Sequence, residues 1–124
     1  MKKLLLLPLL IVTCLCFAQD TKEIIGKPVK IGNLLVAQND FPDEMNWENA
    51  GKACRNLGID WRLPTMLELN ILYKNKKNVK FKFGQYWSSE ESNKIWAVSM
   101  GFPIGTMMKF YKSLLNNVRA VKSL

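Results

Sequence analysis

The sequence predicts an α+β domain in which two short amphipathic helices come first and a series of antiparallel strands follows. Three observations predict it. Asn46 stands before Trp47, Ala50, Cys54 and Leu57, whose 3-4-3 spacing puts all four on one face of a helix that Asn46 caps. Thr65 and Glu68 have the Thr-x-x-Glu spacing of a capping box, directly after Pro64. Beyond Val79 the apolar residues alternate with polar ones or fall in short β-branched and aromatic runs separated by Gly, Pro and Asn.

These signals lie in a chain of 124 residues, enough for one domain. The first eighteen residues read as a secretory signal. Met1, Lys2 and Lys3 give a basic start, Leu4 to Phe17 are almost wholly apolar, and Ala18 supplies the small residue for cleavage. A membrane anchor needs about 20 apolar residues; the run Leu4 to Ala18 has fifteen, one of them a proline. Lipidation at Cys14 or Cys16 is the remaining alternative and the one route to a membrane. Cleavage after Ala18 leaves Cys54 as the sole thiol and a net charge of +6, from sixteen Lys and Arg against ten Asp and Glu. An intramolecular disulfide is then impossible, so an exported domain of this size must rest on its core.

Taken in order, residues 19–28 form a polar leader and the domain proper spans residues 29–124. Val29 to Gln38 reads as strand pieces about a Gly32, Asn33 turn, with Leu34 to Gln38 a true strand, and Asn39 to Asp43 as a loop. The first helix starts at Trp47 and stops at Gly58, expected to be left-handed. Trp61, Arg62, Leu63 and Pro64 force a turn, because proline lacks an N–H and pushes Leu63 into extended backbone. A second helix then runs from Met66 to about Lys74. Val79, Phe81 and Phe83 alternate with Lys80 and Lys82 as a strand would. Tyr86 to Ser89 is extended, Glu90 to Asn93 turns, and Ile95 to Met100 is the most strand-like stretch in the chain. Thr106 to Tyr111 and Val118 to Val121 are expected as the last two strands.

Several of these residues fall in an order that resembles a known family. Asn46 and Trp47 with Ala50 and Cys54, the run Trp61 to Thr65 with Glu68 and Leu69, Tyr86 to Ser89, Trp96 to Val98, and Val118 to Val121 carry the likeness. From about Lys30 to Lys122 the chain resembles the bacterial secreted domain named after the C-terminal domain of the Legionella collagen-like adhesin, formerly a domain of unknown function. That resemblance implies a C-type-lectin-like fold: a small twisted antiparallel sheet with two helices, and chain ends that meet. It also implies an adhesin-like role toward sulfated polysaccharide. Lectins of this fold that hold sugar through calcium carry a Glu-Pro-Asn or Gln-Pro-Asp triplet and then Trp-Asn-Asp, and neither is present. The formylglycine-making oxidase of the fold works through two C-terminal cysteines, whereas no cysteine follows Cys54.

Composition argues against an enzyme. The absence of histidine removes the usual general base and the commonest metal ligand. Glu90 and Glu91 are adjacent, so an extended backbone points them to opposite sides. No cofactor and no metal site is expected. Trp47, Trp61, Leu63, Pro64, Trp87, Ser88 and Trp96 read as residues of the fold, and Cys54 as a small hydrophobe. Arg62 and Arg119 belong to the same framework, at least one of them partly buried and paired with Glu68 or Glu48, because an unpaired buried guanidinium is costly. The candidate ligand-binding residues are Lys76, Lys77, Lys80, Lys82 and Lys109, a basic group suited to polyanions. Nucleic acid is a poor partner for an exported chain, which leaves an acidic polysaccharide or a surface protein. The competing class is an interaction domain of a homo-oligomer or envelope assembly without a small ligand.

Overall fold

The structure, a computed structural model, describes residues 21–124. The expected signal, its cleavage at Ala18, and Cys14 and Cys16 lie outside the described residues. A short helical segment at residues 21–25 opens the description. It is followed by β1 (Val29–Ile31), β2 (Leu34–Val36), α1 (Trp47–Asn56), α2 (Met66–Lys74), β3 (Gly84–Glu91), β4 (Trp96–Phe102), β5 (Thr106–Tyr111) and β6 (Val121–Ser123). The strands form two antiparallel sheets of three, in the orders β1-β2-β6 and β3-β4-β5.

Local chemistry explains most boundaries. The Asn46 side chain accepts the Asn49 N–H to start α1, and the full capping box of Thr65 and Glu68 starts α2. Gly32, with φ of +58°, takes the glycine-first place in the two-residue turn joining β1 to β2. β6 then pairs with β2 from Val36↔Val121 to Leu34↔Ser123, which brings residues 121–123 back beside the first hairpin.

β3 organises the core. Successive side chains of a strand point to opposite faces, and neighbours Tyr86 and Trp87, both fully buried, belong to different clusters. Trp87 packs with Ala50 and Cys54 of α1, with Leu57 at its C-terminal cap, with Trp61 and with Val118. Tyr86 packs with Leu69 and Leu72 of α2, Val36, Phe102 and Val121. Each helix therefore has its own side of β3 to bury its apolar face against. Ile24, within the stretch read as a leader, is buried in the Trp87 cluster.

Some elements differ from the sequence reading. Val79 to Phe83 alternates like a strand but forms none. Two of its backbone groups are instead taken by side chains: the Lys80 carbonyl accepts from Arg119, and the Lys82 N–H donates to the Tyr86 hydroxyl. Glu90 and Glu91 extend β3, past a register irregularity between Trp87 and Glu91, and the turn falls at 92–95. There Asn93 accepts the N–H groups of both Ile95 and Trp96. β2 stops at Val36 rather than Gln38, and of Val118 to Val121 only Val121 enters a strand. Residues 118 and 120 still bond through their carbonyls to Phe41 and Ala37. Gly58 has φ of +151°, and it is Asp60, at +68°, that adopts the left-handed conformation.

Candidate functional site

Three stretches distant in sequence converge beside Tyr86. Asp40 lies just beyond β2, Arg119 just before β6, and the irregular 78–82 loop follows α2. Arg119 Nε donates to Asp40 Oδ1 at 2.7 Å, its Nη2 to the Lys80 carbonyl at 2.8 Å and its Nη1 to the Ala37 carbonyl at 3.4 Å. The Tyr86 hydroxyl donates to Asp40 Oδ2 at 2.6 Å and accepts the Lys82 N–H at 2.9 Å. Only 4% of the Arg119 side chain and 6% of the Asp40 side chain are exposed. The guanidinium also lies 4.8 Å over the Phe81 ring, a cation–π contact. Burial, and then the Asp40 carboxylate beside it, push the Tyr86 hydroxyl well above the ordinary tyrosine range.

This network backs an open groove of about 670 Å³. Lys27, Lys80 and Lys82 line it with Asn39, Asn78 and Phe81, and Asp40 is the sole carboxylate in its wall. Because Asp40 is already engaged by Arg119 and Tyr86, it does not neutralise the lysines.

Of the five lysines expected to bind, the structure thus brings two, Lys80 and Lys82, to one groove. Lys76 lies 4.4 Å over the Tyr73 ring with its Nζ 3.4 Å from the Pro103 carbonyl, Lys77 is exposed, and Lys109 sits on β5 opposite Val98. Lys27 joins Lys80 and Lys82 from the stretch read as a leader. No local pattern marks it, since its placement comes from the fold.

The framework residues form a second constellation. Arg62 donates to both oxygens of Glu68, at 2.6 and 2.8 Å, and to Ser123 Oγ at 2.8 Å. These guanidinium bonds hold the Glu68 carboxyl below the usual carboxylate range, against the opposite pull of burial, and raise the Arg62 pKa. Leu63 and Pro64 are buried, and the Pro64 carbonyl accepts the Ser89 N–H at 2.8 Å, fixing the turn to β3. Trp61 and Trp87 are core residues, and the Trp87 Nε1 donates to the Met45 carbonyl. Ser88, fully buried, donates to the Val98 carbonyl, and the half-buried Trp47 donates to the carbonyl of Ser88. Trp96 departs from the core assignment: it is half-buried and stacks on Tyr111 with ring centres 4.0 Å apart.

The expected partly buried pair is Arg62 with Glu68, and Arg119, more deeply buried, pairs with Asp40, a carboxylate the sequence reading did not name. Cys54 is buried, and loss of solvent pushes its thiol up to about 12, so it stays protonated and packs as a hydrophobe. Glu91 bonds Lys112, which in turn lies 4.6 Å over the Trp47 ring. Among the described residues no three His, Cys, Asp or Glu side chains gather closely enough to hold a metal ion, and no helix is long and apolar enough to cross a membrane.

No protein-family model matches the chain and no curated protein matches its sequence. Solved structures do match it. Botrocetin is similar at a TM-score of 0.62 and 12% identity, over 79% of this chain and 96% of botrocetin. EMS16, an antagonist of the collagen receptor integrin alpha2beta1, is similar at 0.61 and 13% identity, over 78% of this chain and 97% of EMS16. The snake venom toxin convulxin gives 0.53 and 14% identity, over 77% and 92%. The fold is C-type-lectin-like.

Proposed function

We propose that the chain is an exported, non-enzymatic binding module that takes an acidic or sulfated surface polysaccharide into the groove beside Asp40 and Arg119. The observation that carries this reading is the uncompensated charge of Lys27, Lys80 and Lys82 around a wall whose one carboxylate is already bound. Lysines so placed attract polyanions and gain from counterion release. Asn39 and Asn78 of the same wall offer hydrogen bonds to sugar.

The test is retention of the protein on immobilised heparin at physiological salt. Elution later than a protein of matched size and charge is expected, and the double change Lys80→Ala, Lys82→Ala should abolish the difference. Elution together with the matched control would remove the groove from consideration.

A second reading, an interaction domain of an oligomer or a binder of a surface protein, is favoured by β5. It is an edge strand on which every residue but Phe110 is exposed, and Met107, Met108 and Tyr111 offer apolar contact. EMS16, of the same fold, is an antagonist of an integrin. Light scattering that gives twice the monomer mass, with heparin retention absent, would favour it.

A further inference from the structure

A different surface lies at the end of the domain where β3 begins and β4 ends. Gly84↔Phe102 is the last register pair there, so Phe83 and the Pro103–Ile104 turn leave the sheet together. Phe83 is 85% exposed and Ile104 69% exposed. Beneath them Phe102 is buried, stacked on Phe81 with centres 4.2 Å apart and in edge contact with Tyr73 and Tyr86. The turn lies against α2: a Cβ on Gly105 would come within 2.8 Å of the Tyr73 ring, and Lys76 reaches the Pro103 carbonyl. The two exposed apolar side chains therefore lie within two residues, along the chain, of a packed aromatic group.

Lys76 meets this turn at the Pro103 carbonyl, and the side-chain charge along the stretch that leads to Phe83 has one sign. Between Glu68 and Glu90 the chain has no carboxylate and carries Lys74, Lys76, Lys77, Lys80 and Lys82. No Asp or Glu follows Glu91 either. An aromatic and an aliphatic tip, with Lys76 at its turn and Lys80 and Lys82 just ahead of Phe83 in the chain, matches the interface of an anionic bilayer. The apolar tips enter the headgroup boundary while the lysine heads meet lipid phosphate. A polysaccharide would use the lysines and leave Ile104 without a role. A protein partner needs a broader continuous apolar patch than two side chains.

We infer that this tip, Phe83 and Ile104 beside the lysine-rich stretch 74–82, is a docking surface for anionic phospholipid bilayers. It does not depend on the groove, although Lys80 and Lys82 serve both.

The test is co-sedimentation of the protein, as purified from the exporting cell, with vesicles of mixed phosphatidylglycerol and phosphatidylcholine and with pure phosphatidylcholine. Partition into the mixed vesicles is expected, with little into the neutral ones. Phe83→Ala is expected to weaken it about tenfold, Ile104→Ser in the same direction, and each lysine removed about fivefold. Both apolar positions are exposed, so thermal unfolding should not shift and heparin retention should persist. Phe83→Trp should add a tryptophan emission component that moves to the blue on binding. Equal partition into neutral and anionic vesicles, partition unchanged by both apolar substitutions, or an unshifted Phe83→Trp emission would each overturn the inference. Loss of heparin retention alone would remove only the groove, and loss of vesicle binding alone only this tip.

Discussion

Two arginine–carboxylate pairs hold this domain together, and they work in different surroundings. Arg62 and Glu68 are six residues apart, bidentate, with 35% and 18% of their side chains exposed. Arg119 and Asp40 are 79 residues apart and almost wholly buried. The first pair adds a guanidinium to a capping box and ties the start of α2 to β6 through Ser123. The second ties the loop after β2 to the irregular loop before β3, and so shapes the groove wall. A half-exposed pair keeps much of its hydration when a partner is lost, whereas a buried one leaves a bare charge behind.

That difference sets the order of expected effects. Arg119→Met should cost about 3–5 kcal/mol in urea unfolding, because Asp40 is left buried with Tyr86 as its remaining side-chain partner. Adding Asp40→Leu should recover much of the loss, since no charge then remains to desolvate. A loss for Arg62→Met as large as that for Arg119→Met would break the contrast.

Tyr86→Phe sharpens it. Removing the hydroxyl takes one bond from the Asp40 carboxylate and leaves the Lys82 N–H without its partner, and should cost about 1.5–3 kcal/mol. The same unfolding measurement checks it, and a cost near zero would mean that water replaces the hydroxyl fully.

Glu68→Gln should have the smallest effect, about 1 kcal/mol at neutral pH. It also has a pH signature. The folded carboxyl is held below its unfolded value, so its contribution is present above the unfolded pKa of about 4.3 and fades as pH falls through the lower folded value. The gap between wild type and Glu68→Gln in unfolding midpoint should therefore narrow below about pH 4. A constant gap down to pH 2 would show that the pair contributes through geometry alone.

The contrast also explains what could be read in advance. Both helices, their caps, the Gly32–Asn33 turn, β4, β5 and the Arg62–Glu68 pair all depend on residues a few positions apart. The α+β class follows from them. The fold's wider likeness rests on the solved structures at 12–14% identity. Val79 to Phe83 misled because alternation reports which side chains are apolar, and not whether a neighbouring strand is present to pair with. Trp96 misled similarly: the fold gave its ring a surface neighbour in Tyr111.

By itself the sequence determined where both helices start, which face of α1 is buried, and that positive charge gathers between Glu68 and Glu90. Propensity, capping and charge density act over a handful of residues, so these features need no fold to be specified. Only the tertiary structure decided that Arg119 meets Asp40, that Lys27 joins Lys80 and Lys82, and that Phe83 and Ile104 emerge at one end of a sheet. Those meetings need the backbone of β2, β3 and β6 to be closed first. The burial that makes Asp40 an anchor is created by that closure and exists in no short segment of the chain.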